Sequence, residues 1–513
     1  MAASTVPGFT NRRLWLVLTS LMLAVFLASM ETSIIATALP TIAGDFNAFE
    51  SFAWVGTVYI ATSAIGTPLL GKLSDLYGRR LIFQTTMATF VIGSFLCGLA
   101  PSMGWLIAFR ALQGFGGGGI QALAFAVLGD ILPPRERGRF IGYFTLSFVG
   151  AALLGPVIGG FIIDHYDWAW IFLINVPLGL LVMVACHYAL RLPFQRRDAK
   201  LDLRGAALLS LAVGALMVGL AQGGEDGWSQ PIVLALFGVS VATTLLFVRS
   251  QRRVPEPMLP LHLFSNRVML VCIGLGVFAG LVTYGAGSFL PLYFQVSQFV
   301  SPTLSGLRMA PQMLGVSLAT FGIGRLIART GRYRIFPIIG TSVATVGLLS
   351  VAQIDGDTSY WWLLVPMMFM GFGAASIFTT TSIAGQNAVE VRDLGVATST
   401  MMFFRSLGGS LGYAAFGTIL NATVRAEIPK STDVTAAEAT KLIRTPAAIK
   451  ELPANVRDAV TDSVALGVSR IYWVCGIAMA CAILVALALP EKPLRMRAGL
   501  SDAMEQKAAA AAD

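Results

Sequence analysis

Two charged residues lie inside long apolar runs: Glu31 in "LASMETSIIATALP" and Arg110 in "FRALQGFGGGG". A charge at the centre of a membrane span costs about 2.5–3.5 kcal/mol on insertion scales, so such a residue faces a cavity or a partner. If the two runs are antiparallel spans, a rise of about 1.5 Å per residue brings both groups into the outer half of a bilayer. A carboxyl balanced between desolvation and a neighbouring arginine can carry a proton. The alternative is a fixed Glu31–Arg110 ion pair that never titrates. A third such charge is Arg405, in "FFRSLGGSLG". It either lines a cavity or holds helices together.

The stretch after Arg110 also fits G-x-G-x-x-G at Gly114, Gly116 and Gly119. A dinucleotide turn needs a preceding strand and a free helix N-terminus. The middle of an apolar run offers neither. Glycines inside a membrane helix instead let two backbones approach closely. On a helix, Arg110, Gly114, Gly117 and Gln121 share a face, with Gln113 beside them. This polar, narrow-shouldered stripe makes Gln113 and Gln121 candidates to line a substrate cavity.

The elements that must carry these residues follow from composition. Of 513 residues, 56% are hydrophobic and 12% charged, with mean hydropathy +0.73. Soluble domains carry about 25% charged residues. Fourteen candidate spans cover roughly 14–41, 52–71, 81–100, 104–130, 139–163, 167–190, 204–222, 230–249, 268–297, 304–328, 334–353, 360–387, 396–424 and 467–490. Backbone in lipid must be satisfied internally, and the runs lack the period-two alternation of a barrel, so these are helices. The expectation is an all-α polytopic membrane protein. The net charge of +9 sits in alternate loops such as "GKLSDLYGRR", "PPRERGR" and "GRLIARTGRYR", while "GDFNAFE", "DHYDW" and "DGDTS" hold acids and no Lys or Arg. That is the positive-inside pattern, which argues against nucleic acid. It places both termini in the cytoplasm of a cell whose plasma membrane (a bacterial inner membrane) holds the chain. The basic start (Arg12, Arg13) leads into a run too long for a signal core, which reads as an uncleaved first span.

The chain repeats itself. "GKLSDLYGRR" (71–80) and "GRLIARTGRY" (324–333) align at an offset of 253 residues, and Gly155/Gly159 fall on Gly408/Gly412 at that same offset. Both basic loops lie on one side, so the halves are parallel repeats about an axis along the membrane normal, as in some secondary transporters. This gives residues 1–190 as one six-helix bundle, 191–267 as linkers with two extra helices, 268–490 as a second bundle, and 491–513 as a tail. The external segment 425–468 carries a capping-box pattern at Thr435–Glu438, and Pro446 and Pro453 suit the first turns of short helices. It is either a small cap or a solvated connector. At the repeat offset Glu31 meets Tyr284, so the acid has no twin, and the second half offers Tyr284 and Arg405 to a cavity. Asp75 either caps a helix or, with Arg79, Arg135 or Arg139, forms a cytoplasmic latch. "GAALLGPVIGG" (Gly150, Gly155, Pro156, Gly159, Gly160) combines small-residue packing with a proline kink. The five cysteines show no C-x-x-C and the three histidines are scattered, so no metal site is expected.

Together these motifs resemble the major facilitator superfamily, specifically its fourteen-span drug:proton antiporter family, over about residues 14–490. "GKLSDLYGRR" is similar to the loop 2–3 motif, implying a gate at Gly71, Asp75, Gly78 and Arg79. In that family the acid meets the start of the eleventh core helix, here near Leu394 to Thr398. "LIAFRALQGFGGGG" resembles the fourth-helix motif, whose arginine is implicated in proton transfer. "GAALLGPVIGG" resembles the fifth-helix antiporter motif, implying export. "METSIIATALP" resembles a first-helix motif that usually has Asp where Glu31 stands. "WAWIFLINVP" resembles a sixth-helix motif commonly reading W-R-W. Ala169 replaces that arginine, so no charge role is assigned there. The resemblance implies a monomeric, proton-driven exporter of amphipathic small molecules, with no cofactor and no enzymatic site. A dedicated exporter of one metabolite, antibiotic or lipid fits the same pattern, as does, less well, a membrane sensor that does not transport.

Overall fold

A computed structural model describes residues 11–46, 48, 52–190, 202–254, 257–287, 289–390, 393–431, 449 and 452–494. Helix dominates throughout. The first half runs through α1 (Asn11–Asp45), α2 (Phe52–Tyr77), α3 (Arg79–Gly98), α4 (Met103–Ile131), α5 (Pro134–His165), α6 (Trp170–Leu173) and α7 (Asn175–Ala189). A pair follows, α8 (Leu203–Asp226) and α9 (Pro231–Gln251). The second half holds α10 (His262–Ser265), α11 (Arg267–Gly280), a π-helical turn at Leu281–Ala286, α12 (Phe289–Val296), α13 (Pro302–Leu307), α14 (Ala310–Thr330), α15 (Ile335–Val351), α16 (Tyr360–Asn387), α17 (Leu394–Ser431) and α18 (Ala454–Leu487). Among the described residues nine helices are long and apolar enough to cross a membrane, and two shorter apolar helices accompany them. The long helices α2, α14 and α17 fall outside that set, and the halves meet where α17 packs on α2 and α4 and where α5 packs on α14 and α16.

The termini of these helices are chemically marked. Pro134 and Pro231 stand in first turns, where a missing N–H costs nothing. Asn266 caps α11 by accepting from the amides of Val268 and Met269. Gly78 and Gly331, partners at the repeat offset, both take positive φ (97° and 70°). Only glycine adopts that backbone cheaply, so the repeated glycines are explained by two equivalent turns. We call the end carrying these turns the basic end.

Glycines also set the packing. A β-carbon on Gly66 would strike the backbone of Phe115, one on Gly118 the Ser63 carbonyl, and one on Gly116 the backbone of Phe90. The glycines after Arg110 therefore press α4 onto α2 and α3, as glycine does between membrane helices. The second half repeats the device at Gly371 against Gln312 and at Gly315 against Met368. Gly155 meets Ser33 of α1, and its repeat partner Gly408 meets Val277 of α11. Gly150 has only ordinary contact with Phe26, and nothing lies near Gly160. Gly159 is buried, and Pro156 sits inside α5. Outward faces are apolar, with Trp361, Leu484 and Ile232 exposed, as lipid rather than water requires.

Two candidate spans are interrupted. Residues 268–297 pass from α11 through the π turn to α12, and residues 304–328 break between α13 and α14, whereas in 167–190 the backbone stays helical at Ile174 between α6 and α7. Of the segment 425–468, the described residues belong mostly to the long helices that flank it. α17 extends to Ser431, and Pro453 precedes a 34-residue helix. Thr435–Glu438 and Pro446 lie outside the described residues.

Candidate functional site

Glu31 and Arg110 do meet. Arg110 on α4 is 1% exposed and Glu31 on α1 is 0% exposed. Arg110 Nη1 donates to Glu31 Oε1 at 2.5 Å and to Gln113 Oε1 at 2.7 Å, and its Nε donates to the Val55 carbonyl at 3.3 Å. The guanidinium lies 4.3 Å from the centre of the Tyr59 ring, a cation–π contact that partly replaces lost water. Gln113 Nε2 donates to Ser94 Oγ at 2.7 Å. The second carboxylate oxygen, Glu31 Oε2, accepts from Asn175 Nδ2 at 2.5 Å. Five helices thus converge: α1, α2, α3, α4 and α7. An isolated buried charge would be prohibitively costly, whereas a paired and hydrogen-bonded one persists. Arg110 lies seven residues into α4 from Met103, so the cluster is nearer the end opposite the basic loops.

Of the expected cavity residues with described side chains, the structure brings Gln113 into this cluster but not Gln121 or Arg405. Gln113 is fully buried between α3 and α4. Gln121 is half-buried two to three turns further along α4. Arg405, on α17 in the other half, is half-buried with its guanidinium 4.4 Å from the Phe378 ring centre. Tyr284 falls in the π turn, and its side chain is outside the described residues. Sequence reasoning missed Asn175. It lies within "WAWIFLINVP", which the loss of the motif arginine at Ala169 had made look inert.

A second cluster joins the halves at the basic end. Asp75 Oδ2 accepts the backbone N–H of Val396 at 2.9 Å, in the first turn of α17. A carboxylate there also gains from the helix dipole. Arg79 bridges Asp75 (2.6 Å) and Asp130 (2.7 Å), and it also donates to Ser74 Oγ. Asp75 lies beyond the apolar stretch 52–71. Burial pushes its carboxyl up to about 6, opposed by Arg79, reinforced by Asp130, and opposed again by the Val396 amide and Lys72. Gly71 packs against Ser399, and Gly395 against Asp75 and Arg79.

Of the expected latch partners, Arg79 does pair with Asp75. Arg139 is exposed beside Phe140, and the Arg135 side chain is outside the described residues. Arg137, between them, is buried. It donates to the carbonyls of Leu132 (2.9 Å) and Gly129 (2.5 Å), closing the end of α4, and to Gln386 Oε1 across the interface at 3.0 Å. Gln386 Nε2 in turn donates to the Phe125 carbonyl at 3.2 Å and to Thr398 Oγ1 at 3.0 Å. Nearby, Gly138 and Gly324 touch backbone to backbone. No charge spacing separates Arg137 from its neighbours in "PPRERGR", but Asp130, a lone acid ending an apolar run, carried a legible signal.

The sequence profile of the Major Facilitator Superfamily matches residues 21–413. The chain belongs to the major facilitator superfamily. Multidrug transporter protein MdtP of Bacillus subtilis is 33% identical over 410 residues, covering 79% of this chain and 75% of the relative. Multidrug resistance protein 3 of the same organism is 34% identical over 404 residues, covering 79% of each chain. The solved proton:xylose symporter XylE superposes with a TM-score of 0.65 at 14% identity, covering 97% of this chain and all of that one. The fold is thus that of a major facilitator transporter. Within this superfamily member, the polar residues collect in two places: a buried carboxylate–guanidinium–amide network inside the first half, and a carboxylate latch from that half to α17.

Proposed function

We propose that the chain is a proton-coupled antiporter that exports amphipathic small molecules by alternating access. Its basic end faces the cytoplasm of a cell whose plasma membrane it spans with fourteen segments, as a monomer and without a cofactor. The observation that carries this reading is Glu31: an acid with no exposure, held inside apolar helices by Arg110 and Asn175. Buried intramembrane acids of this kind mark proton relays. Relatives about one-third identical are named a multidrug transporter and a multidrug resistance protein, and one 30% identical is named an efflux pump, which supports export. In this reading Glu31 takes a proton while the site opens outward and loses it while the site opens inward. Arg110 tunes that exchange, and the Asp75–Val396 contact holds the cytoplasmic end shut. A membrane potential supplies about 2.3 kcal/mol per charge per 100 mV, and one pH unit adds about 1.4 kcal/mol per proton. One proton per cycle therefore sustains a substrate gradient of several hundred-fold.

The test is proton movement in proteoliposomes holding a pH-sensitive dye, with a panel of lipophilic cations added outside. Substrate-triggered flux in the wild type, abolished in Glu31→Gln, is the expected result. Flux that survives in Glu31→Gln places the proton site elsewhere and refutes this mechanism.

A further inference from the structure

The amide of Asn175 is fully buried but only half engaged. Its Nδ2 donates to Glu31 Oε2 at 2.5 Å and, at the limit of a hydrogen bond, to the Ile171 carbonyl at 3.5 Å. Its Oδ1 is also buried and has no hydrogen-bond partner among the described residues. A buried carbonyl oxygen without a donor carries a full desolvation penalty, so its presence beside a carboxyl calls for a reason. The two states of Glu31 make opposite demands. The carboxylate only accepts, whereas the acid has one O–H to donate. Arg110 can only donate. Gln113 Oε1 is already held by Arg110, and the Tyr59 hydroxyl points to the Ala28 carbonyl at 3.4 Å. The asparagine amide has both a donor and an acceptor. A half-turn about its last torsion, which is broad and nearly two-fold, exchanges them without changing the shape of the side chain.

We propose that Asn175 is a two-way positioning residue for Glu31, holding the carboxylate with Nδ2 and, after a half-turn of the amide, accepting the Glu31 O–H with Oδ1. The proton stays on Glu31, and no bond of Asn175 is made or broken. The backbone fixes the amide in place, because Asn175 stands where α6 passes into α7 through Ile174, whose dihedrals are helical. The other titratable or charged groups facing Glu31 are Tyr59 from α2, Cys97 from α3 and Arg110 from α4, while α5 packs Gly155 against the next turn of α1. This inference rests on the reading of Glu31 as the proton carrier.

The experiment is pH-titrated infrared difference spectroscopy on purified protein in lipid, which needs no substrate. A protonated-carboxyl band that disappears in Glu31→Gln reports that side chain. Asn175→Leu keeps the volume but offers no polar atom. It should move the band to higher frequency and displace its midpoint by about one pH unit. Asn175→Ser, whose hydroxyl both donates and accepts, should leave the band near its wild-type place. If Asn175→Leu does not fold, Asn175→Asp serves instead. It accepts but cannot donate when ionised, and its midpoint should lie at higher pH than that of the wild type. A band and midpoint unchanged in the Leu or Asp variant, while Glu31→Gln still removes the band, overturn the role of Asn175 and leave the carrier reading intact. If Glu31→Gln removes no band at any pH, the carrier reading fails, and this inference fails with it.

Discussion

Asp75 makes a contact between the halves that one substitution removes cleanly. Its Oδ2 accepts the Val396 N–H at 2.9 Å in the first turn of α17, and Arg79 keeps Asp130 as a partner if Asp75 is lost. Little else is stranded, so the change reads mostly on the junction. A hydrogen bond to a charged group is worth about 1.5–3 kcal/mol, and the helix dipole adds a few tenths to about 2 kcal/mol in partly buried geometry. Asp75→Ala should therefore weaken closure of the basic end by about 2–5 kcal/mol. That is a shift of about 30-fold to a few thousand-fold in the ratio of open to closed molecules. Asp75→Asn keeps a neutral acceptor and should lose about half as much. The assay is a spin-label distance between cysteines placed at Leu81 and Arg329, both exposed near the basic end on opposite halves. Cys481, the exposed native cysteine, is first replaced by serine, since the other four are buried. The expected order of closed population is wild type, then Asn, then Ala. An open-to-closed ratio in Asp75→Ala within twofold of wild type, or an Asn variant more open than Ala, would show that the contact does not hold the halves together.

Three further outcomes follow from the packing and the charges. Arg110→Met leaves a buried carboxylate without its counter-charge and should lower stability by about 3–5 kcal/mol. Adding Glu31→Gln should recover much of that loss in a thermal-unfolding cycle, and strictly additive losses would contradict the pair. Gly118→Val puts side-chain carbon onto the Ser63 carbonyl and should cost about 1–3 kcal/mol by overpacking. Gly238→Ala on the open face of α9, with nothing within 4 Å, should be neutral or stabilising by up to about 1 kcal/mol; equal effects at the two sites would refute the packing role of the α4 glycines. Arg137→Met strips the end of α4 and the bond to Gln386 together, whereas Gln386→Leu strips only the bridge. The arginine variant should therefore be the less stable of the two, and the reverse order in the same melts would place the greater role in the bridge.

The fold was legible because each span had to satisfy its own backbone, and the runs of apolar residues announce that constraint. Gly78 and Gly331 were legible as a repeat, and their positive φ supplies the reason. The Glu31–Arg110 pair was legible because charge in lipid is rare. Asn175 was not: a neutral amide in an apolar run carries little signal until a carboxylate oxygen is found 2.5 Å away. Nor could charge pattern rank Arg137 above Arg135 and Arg139, since burial at that turn is decided by how α5 crosses α14 at Gly138 and Gly324. The break between α13 and α14 and the π turn at Leu281–Ala286 were hidden for a related reason. An apolar run reads the same whether its helix is continuous or interrupted.

The two halves share a scaffold but not their charges, and that asymmetry has a mechanical consequence. At the repeat offset Glu31, Asp75, Arg110 and Asp130 fall on Tyr284, Ala328, Leu363 and Ile383. The first half thus holds both the buried network and the acid of the latch, while the second supplies neutral partners: the Val396 amide and Gln386. Within the first half, both clusters hang on α2 and α4. The upper one uses Val55, Tyr59 and Arg110, and the lower one uses Asp75 and Asp130. Between them, Gly66, Gly114 and Gly118 lock these helices backbone to backbone. Arg110 and Asp130 are twenty residues apart on α4, about 30 Å along the axis. A helix pair with so little slack between its members transmits a tilt rather than absorbing it. Any rearrangement around Glu31 that shifts α4 against α1 must then move Asp75 relative to Val396. In this view the glycines that first suggest a nucleotide turn form the stiff link between the buried acid and the latch. Gly118→Ala, whose β-carbon would push α4 off the Ser63 carbonyl of α2, should loosen that link. The Leu81–Arg329 distance should then cease to respond to Glu31→Gln, and a response as large as in the parent protein would show that the coupling runs by another route.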